Sequence, residues 1–411
     1  MLAAISAAES GAKVTVLEHS KKPGRKLLLT GNSRCNLTNT DEEVRYLSED
    51  ISAAAALTQN IFPLFGVRQT LRFFRSIGVL TRCEHGTGVY PVSGKSATVS
   101  EALLHKMRRL GVKLKLQEHV TGIERTEGGL IVKTHSWQYP CDAVILSCGS
   151  KCAPQTGSDG SGYELAKDLG LSVTQILPAL TGISVTYPDG SKIRAKTAGI
   201  RMMGRVSAYV SGDCVQEEDG QLQFTDRDLS GIAVFQLSRR LTRALSRGED
   251  CEVAIDFLPE TGIDELTAAL ESYAEEWQTE KPEELLAGLL PQEIIALILE
   301  HPDFGSAAKS ASSKRRESGQ VPDINLMRTL AELMKHMRLK PVSVRGFESC
   351  QVCAGGVRLS EVDPQTLECK RDDLRGIYLT GELLDLDGPC GGYNLQWAFS
   401  SGYVAGRCAA Q

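Results

Sequence analysis

The segment between Pro23 and Asn39 concentrates side chains that could bind a phosphorylated ligand. Its cations are Arg25, Lys26 and Arg34, and such groups form charge-assisted hydrogen bonds to phosphate. Gly31 permits a close approach of the backbone to a ligand. Short hydrogen-bonding side chains follow at Asn32, Asn36, Thr38 and Asn39. We interpret the segment as a loop at a ligand site, with an ordinary surface loop as the alternative.

An acidic residue precedes this loop. Lys13 to Leu17 alternates like a buried strand, and Glu18 stands at the end of this strand. In a Rossmann βαβ unit the second strand ends in an acid that bonds a ribose hydroxyl, about 20 residues after a glycine-rich turn. Counting back from Glu18 puts that turn before Met1. We therefore expect the first strand and its G-x-G-x-x-G turn to be lacking, while the helix, second strand and acid that remain favour nucleotide binding.

A glycine-rich segment follows a second buried strand. Asp142 to Gly149 is typical of a strand that ends in small residues, and Thr156 to Gly162 adds more glycines. Small residues at a strand end let a flat ligand and its phosphate chain pass close by. Gly149 is therefore a candidate contact, and the alternative is a structural turn into a helix that begins at Ser161.

A third strand ends in Gly381 and Glu382 and leads through Asp385 and Asp387 to a second glycine motif. That motif reads Cys390, Gly391, Gly392, Tyr393, Asn394 and Leu395. Glycines that open a helix leave N–H groups facing an anion or an electron-rich atom. A reduced flavin ring, which is negative near N1 and O2, fits such a helix dipole. A magnesium or calcium site on the two aspartates is the poorer alternative.

The catalytic residues are unassigned, with Cys390, Tyr393 and Asn394 as candidates to face the reacting ring. Capping and packing of the final helix explain these three residues equally well. Hydride chemistry needs no nucleophile, because the cofactor carries the reaction and the protein binds and orients. A thiol-redox route through Cys350 and Cys353, a C-x-x-C pair, is a weaker alternative.

Hydrophobic periodicity around these motifs predicts an α/β sheet. Predicted helices are Leu2 to Ala8, Ala53 to Leu57, Val67 to Ile77, Ser96 to Leu110, Ser161 to Leu169 and a last helix from about Gly392 to Ala410. Predicted strands are Lys13 to Leu17, Lys113 to Gln117, Thr121 to Arg125, Leu130 to Thr134, Ala143 to Ser147 and Gly376 to Thr380.

The pattern changes near Pro178. Short alternating strands, with turn signals at Tyr187 to Gly190 and Glu218 to Gly220, predict an antiparallel or barrel-like module over 178–261. A helical insert over 262–320 and its return segment over 321–340 follow. The basic run from Lys314 to Arg316 is interpreted as a solvated linker or helix end. The α/β domain then consists of a first part, 1–177, and a second part, 341–411.

Composition narrows the class of protein. The chain has 411 residues, too many for one compact core. A net charge of −5 argues against a generic nucleic-acid binder. No apolar run reaches the roughly 20 residues of a membrane span, and no signal-peptide pattern opens the chain. We therefore expect a cytoplasmic protein without membrane association, with its 12 cysteines reduced.

A metal site is not expected. Cys350 and Cys353 form a C-x-x-C pair, and Cys148 and Cys152 are spaced four apart. Neither pair comes with the histidines or the second close pair that zinc requires.

Together these motifs resemble the bacterial YhiN/BaiN-like flavoproteins, also described as NAD(P)/FAD-dependent or aminoacetone-oxidase-family enzymes. The resemblance covers nearly the whole chain. Its motifs are the Gly24 to Asn39 loop, Phe224 to Gly231, Ala354 to Val357, and Gly381 to Trp397. It implies a Rossmann-like FAD-binding domain, of the two-dinucleotide-binding-domain flavoprotein type, interrupted by an inserted β-barrel-like and helical module.

The resemblance also implies residue roles. Glu18 would bind the adenosine ribose, Val120 would offer backbone to the adenine, and Glu382 would bond the ribityl or pyrophosphate part. Arg34, Cys35 and Asn36 would run along the cofactor, and Gly391 to Leu395 would start a helix at the flavin ring. The other candidate contacts are Lys26, Gly149 and Gly381.

The function that follows is FAD-dependent oxidoreduction, with hydride passing between the flavin and a small organic substrate or NAD(P)H. The alternatives are a non-catalytic or inactive, truncated flavin or nucleotide binder and, less favoured, a tRNA-modifying flavoprotein. Two further departures from the family pattern are Ser33, where glycine is common, and Asp226, where many members carry histidine. The substrate and the oligomeric state stay open.

Overall fold

The computed structural model describes residues 1–84, 86–226, 228–279, 281–318 and 323–411, without the side chains of 312–318. These residues form two compact units. The first unit combines Met1–Pro178 with Phe347–Gln411, and the second is Ala179–Gly346.

The helices of the described part are α1 (Leu2–Glu9), α2 (Arg25–Ser33), α3 (Ile51–Ile61), α4 (Val67–Ser76), α5 (Ser96–Arg109), α6 (Ser161–Asp168), α7 (Ile232–Ser246), α8 (Ile263–Trp277), α9 (Pro282–Leu286), α10 (Gln292–Leu299), α11 (Pro302–Ser318), α12 (Ile324–Lys335) and α13 (Tyr393–Cys408).

The strands are β1 (Thr15–Glu18), β2 (Thr38–Asn39), β3 (Thr81–Glu84), β4 (Gly88–Pro91), β5 (Lys113–Leu116), β6 (Val120–Thr126), β7 (Gly129–Thr134), β8 (Gln138–Cys141), β9 (Val144–Leu146), β10 (Leu177–Ala179), β11 (Ile183–Thr186), β12 (Arg201–Val210), β13 (Asp213–Phe224), β14 (Asp228–Ser230), β15 (Cys251–Asp256), β16 (Met337–Val344), β17 (Val352–Ala354) and β18 (Ile377–Leu379).

The first unit contains two parallel strand pairs, which position the candidate functional site described below. β1 pairs with β5, and β9 pairs with β18. Two antiparallel sheets, β2–β4–β3 and β6–β7–β8, accompany them. The mixture of parallel pairs and helices confirms the predicted α/β class.

Helices α1 and α13 pack directly on each other in this unit. The Ser6 hydroxyl donates to the Tyr403 carbonyl at 2.6 Å. A Cβ at Gly406 would lie 2.2 Å from the Ala3 carbonyl oxygen, so glycine is what allows the helices to approach this closely. Small residues along α13 thus fix the contact with α1.

The second unit contains a closed six-stranded barrel in the order β11–β14–β13–β12–β15–β16. Alternate residues of its strands point into one apolar core, among them Val206, Val253 and Leu339. Helices α7, α8, α10 and α12 contribute leucine and isoleucine side chains to the same core. The predicted inserted barrel-like and helical module is confirmed.

The prediction of a turn at Glu218 to Gly220 is wrong. These residues lie inside β13, paired with β12. Arg205 Nε donates to Asp219 Oδ1 at 2.7 Å, and Gly204 faces Gly220 across the ladder. Cross-strand pairing therefore overrides the local turn propensity. The hairpin instead reverses at Ser211 and Gly212, both of which have positive φ.

Two other expectations differ from the structure. The predicted loop contains α2, which is interrupted by non-helical backbone at Thr30, Gly31 and Asn32. Residues 341–346 belong to the second unit, because Pro341 lies in β16 and that strand closes the barrel. The Lys314 to Arg316 run falls in α11, and its side chains lie outside the described part.

Among the described residues, no helix combines the length and apolarity needed to cross a membrane.

Candidate functional site

A network of three chain segments surrounds Lys26 in the first turn of α2. Its ammonium nitrogen lies 2.5 Å from Glu382 Oε2 and 3.1 Å from the Ser150 hydroxyl. The Ser150 hydroxyl in turn donates to Glu382 Oε2 at 2.8 Å. Ser158 completes the group, with its hydroxyl 3.3 Å from the Lys26 nitrogen.

Strand pairing brings Ser150 and Glu382 together, and Lys26 reaches them from α2. β9 and β18 are parallel neighbours, so their carboxyl ends meet at one edge of the sheet. Gly149 follows β9 with φ of +76°, and the Ser158 hydroxyl donates to the Ser150 carbonyl at 2.6 Å. Gly381 follows β18 with φ of +63° and turns the chain so that Glu382 reaches Lys26.

Glu382 keeps the Lys26 side chain of this network positively charged. Burial alone acts to lower the pKa of Lys26, but the charge and hydrogen bond of Glu382 raise it above its ordinary value. The lysine therefore stays protonated beside Glu382. An ammonium, a carboxylate and two hydroxyls at a strand edge can bind the phosphate and hydroxyl groups of a nucleotide.

The start of α13 forms a glycine cradle, which we define as Gly391, Gly392 and the facing residues Asn36 and Thr38. A Cβ at Gly392 would lie 2.7 Å from the Thr38 carbonyl oxygen and 2.8 Å from Asn36 Oδ1. Asn36 Oδ1 is buried and has no hydrogen-bond partner in the described part of the chain. A buried acceptor without a partner is costly, so this oxygen points to a donor on a bound ligand.

Backbone geometry places Asn36 opposite Gly392 in the glycine cradle. The preceding Cys35 is fully buried and has φ of +61°. On the other side, the Leu37 amide donates to the Val89 carbonyl at 2.8 Å and the Thr38 hydroxyl donates to Gln396 at 2.7 Å. These bonds fix the segment against β4 and α13.

The three catalytic candidates have structural roles in this arrangement. The Asn394 amide donates to the Gly388 carbonyl at 2.7 Å and accepts from the Gly388 amide at 2.8 Å. Tyr393 is buried, and its carbonyl accepts from the Tyr46 hydroxyl at 2.8 Å. Cys390 Sγ lies 3.6 Å from Gln351 Oε1. These contacts favour the capping and packing alternative, and Leu395 likewise packs against an apolar cluster.

Arg34 lies apart from the Lys26 network. Its guanidinium pairs with Glu84 and stacks over the Tyr90 ring at 4.8 Å from the centroid. Hydrogen bonds from Arg82 and Arg34 hold the pKa of Glu84 below its usual range. In this structure Arg34 therefore neutralises a protein carboxylate.

Glu18 marks the other end of the candidate site. One of its carboxylate oxygens accepts from the Ser20 amide at 2.8 Å. The His19 ring lies 5.8 Å from that of His119, which immediately precedes Val120 at the start of β6. A cleft of about 640 Å³ adjoins this end. Its lining residues include Lys21, Lys22, Arg25, Gln117 and Asp159.

Sequence reasoning missed four polar residues of the site. Ser150 and Ser158 connect Lys26 to the ends of β9 and β18, although both stand in segments already recognised as glycine-rich. Glu118 Oε2 is buried and has no hydrogen-bond partner among the described residues, near Val120. His19 borders the basic cleft. The signal in the sequence that could have found each of these residues was its position close to a residue predicted to contact the ligand.

We expect Gly392→Ala to destabilise the first unit by about 1 kcal/mol or more beyond the loss in Gly111→Ala. Both glycines have positive φ, +97° and +74°, so both variants carry backbone strain. A Cβ at Gly111 meets nothing within 4 Å, whereas one at Gly392 meets Thr38 and Asn36. Urea unfolding of both variants measures the difference. Equal losses would contradict the close packing of the glycine cradle.

Residues 1–408 match the family model described as HI0933-like protein Rossmann domain. The chain is 38% identical over 415 residues to a 3-dehydro-bile acid delta(4,6)-reductase of Clostridium scindens, covering 100% of this chain and 96% of that protein. It is 28% identical to a ribosomal RNA dihydrouridine synthase of Haemophilus influenzae, covering 98% and 94% of the two chains.

A structural likeness exists as well. A 3-ketosteroid-delta4-(5alpha)-dehydrogenase from Rhodococcus jostii RHA1 aligns over 100% of this chain and 94% of its own, with a TM-score of 0.47 at 16% identity.

The fold is a Rossmann-type FAD-binding fold, as the motifs predicted. The chain belongs to the HI0933-like family of Rossmann flavoproteins, which is the YhiN/BaiN-like family predicted from its sequence.

Proposed function

We propose that this protein is an FAD-dependent oxidoreductase that passes hydride between the flavin and a small organic substrate, with NAD(P)H as electron donor. The observation that carries the proposal is the buried Asn36 oxygen without a partner, which faces the glycine cradle at the start of α13. A family of flavoproteins, an orphaned acceptor and a glycine-lined helix start agree on one kind of ligand.

The residues present fit this cofactor. Glu18 would bind the adenosine ribose, and Val120 would offer its backbone to the adenine. Lys26 and Glu382 would hold the pyrophosphate and ribityl parts, with Ser150 and Ser158 orienting them. Asn36 would accept a hydrogen bond from the ring, and the α13 dipole would favour negative charge there. When bound, FAD supplies the two-electron chemistry.

The substrate proposal is a small apolar molecule that is reduced. The relative that is 38% identical over the whole chain is named as a bile acid reductase. The role of this chain would be to bind and orient such a molecule and to exclude water from the reacting atoms. No side chain is assigned as a proton donor, since the Asn394 amide is bonded to Gly388 and the Tyr393 side chain is buried.

A second candidate function is reduction of a base in RNA. Its support is the similarity to ribosomal RNA dihydrouridine synthases of Haemophilus influenzae and Escherichia coli. The net charge of −5 speaks against it, because RNA binders present basic surfaces. Our expectation of no nucleic-acid partner therefore stays a proposal.

The test uses the purified full chain. After incubation with FAD and gel filtration, the protein is expected to retain yellow flavin that NADH or NADPH bleaches without oxygen. A chain that stays colourless after incubation contradicts the proposal, and retained flavin that neither nicotinamide bleaches contradicts the donor assignment. Salt-sensitive retention of ribosomal RNA on the same protein would favour the second candidate.

A further inference from the structure

Three thiols meet in the interior of the first unit. Cys152, Cys350 and Cys353 form one cluster with Ala153, and none of the three is more than 4% exposed. The C-x-x-C pair lies just before and within β17, and Cys152 comes from the segment after β9. The fold therefore places a third thiol against a pair that the sequence already holds close.

Backbone contacts tie the two segments together. Cys152 Sγ donates to the Cys350 carbonyl at 2.6 Å. The Ala153 amide donates to the Phe347 carbonyl at 2.8 Å, and the Cys350 thiol contacts the same carbonyl at 3.6 Å. The thiols are thus held in a fixed arrangement.

The cluster is not arranged as a metal centre. Within the described ranges, no group of three or more histidine, cysteine, aspartate or glutamate side chains is placed to hold a metal ion.

The thiols of the C-x-x-C pair differ chemically. Hydrogen bonds with the thiols of Cys152 and Cys353 raise the pKa of Cys350. The hydrogen bond from Cys350 lowers the pKa of Cys353 below its ordinary value, and burial opposes this effect only in part. A thiol with a lowered pKa beside a thiol with a raised pKa is the usual arrangement of a redox-active pair.

Cys353 also adjoins the Lys26 network. The hydrogen bond of the Ser150 hydroxyl lowers the pKa of Cys353, whereas the charge of Glu382 raises it. Lys26 in turn interacts electrostatically with Cys353 and Cys152. A nearby ammonium stabilises a thiolate, so Lys26 and Ser150 favour an ionised Cys353 and Glu382 opposes it.

We propose that Cys353 and Cys350 form a redox-active dithiol site that a hydroperoxide oxidises to a disulfide, with Cys353 as the attacking sulfur and Cys350 as the resolving thiol. Hydrogen peroxide is the simplest such oxidant and is little larger than water. This inference stands apart from the proposed function, because it needs no bound flavin.

The chemistry balances in two steps. The Cys353 thiol first releases its proton, and the resulting thiolate attacks one peroxide oxygen. The O–O bond breaks, the released proton joins the departing hydroxide to give water, and Cys353 becomes a sulfenic acid. Cys350 sulfur then attacks the Cys353 sulfur, the S–O bond breaks, and the thiol proton leaves with the hydroxyl as a second water. Two thiols and one hydrogen peroxide thus give one disulfide and two waters, a two-electron oxidation of the protein.

The test maps thiols after oxidation. Purified full chain, with and without added FAD, is treated with hydrogen peroxide, denatured, alkylated with N-ethylmaleimide and digested with trypsin. The peptide after Arg345 and up to Arg358 carries both cysteines. We expect it to lose two hydrogens and both alkylation sites, and to regain them after reduction. A peptide that stays fully alkylated overturns the proposal, and this arm needs no variant.

Variants assign the two roles. Cys350→Ser is expected to leave a Cys353 sulfenic acid that dimedone traps, and Cys353→Ser is expected to give neither the trapped adduct nor the disulfide. Cys152→Ser is the matched control, since Cys152 is buried in the same cluster. It is expected to keep the disulfide, and its loss there would overturn the assignment of the pair.

Discussion

Trp397→Ala is expected to lower the free energy of unfolding of the first unit by about 3–5 kcal/mol. Trp397 is fully buried in α13, and its indole N–H donates to the Gly381 carbonyl at 3.0 Å. The ring also makes an edge contact with Phe62 at a centroid distance of 6.3 Å. The substitution therefore leaves a large cavity and removes one of two hydrogen bonds to the Gly381 carbonyl, which keeps the bond from the Leu384 amide at 3.2 Å. Guanidinium or urea unfolding measures the loss.

Two controls separate these effects. Trp397→Phe keeps most of the ring volume but removes the donor, so it should cost less than the alanine variant and more than a surface change. Trp137→Ala removes a tryptophan that is 68% exposed in the same unit and should change stability by no more than about 0.5 kcal/mol. Similar losses in the two alanine variants would contradict the role of Trp397 in holding the end of β18.

Glu382→Ala is expected to weaken FAD binding roughly tenfold to a hundredfold, which corresponds to about 1.5–3 kcal/mol for a hydrogen bond to a charged group. The variant removes the carboxylate and releases Lys26, whose ammonium lies 2.5 Å from it. Ser150 also loses its acceptor. Titration of the purified chain with FAD, followed by flavin fluorescence, measures the change.

The matched control for this prediction is Glu164→Ala. Glu164 lies on α6 of the same unit, is 71% exposed and pairs with Lys167. Exposed pairs of this kind contribute little, so FAD affinity and stability should stay near those of the unchanged chain. An unchanged FAD affinity in Glu382→Ala would contradict the placement of the cofactor at the Lys26 network.

Local sequence patterns were sufficient to predict much of the secondary structure of the first unit. Ala-rich and amphipathic periodicity predicted α1, α4, α5 and α13 within a few residues of their observed ends. Strands were less certain where tertiary pairing competes with turn propensity, as at Glu218 to Gly220. The helical start at Arg25 was hidden by the neighbouring glycines and cations, which are also typical of a loop.

The candidate site likewise contains residues that the sequence predicted and contacts that it could not predict. Glu382 and the glycines at the start of α13 follow from spacing along one segment. The pairing of Lys26 with Glu382 could not be predicted, because these residues are distant in sequence. The parallel pairing of β9 and β18 brings Ser150 to Glu382, and Lys26 reaches both from α2. The contact of Cys152 with the C-x-x-C pair arises from the same long-range packing.

The packing of α1 on α13 has a consequence for how the molecule is made. A ribosome delivers α1 well before α13, so α1 has to wait for its partner until the intervening residues have emerged. Residues 179–346 are released during that interval and can condense around their own core. The nucleotide-binding half of this protein is therefore completed late, and a nascent chain interrupted before Gly406 would carry an uncovered apolar helix that chaperones or proteases can recognise.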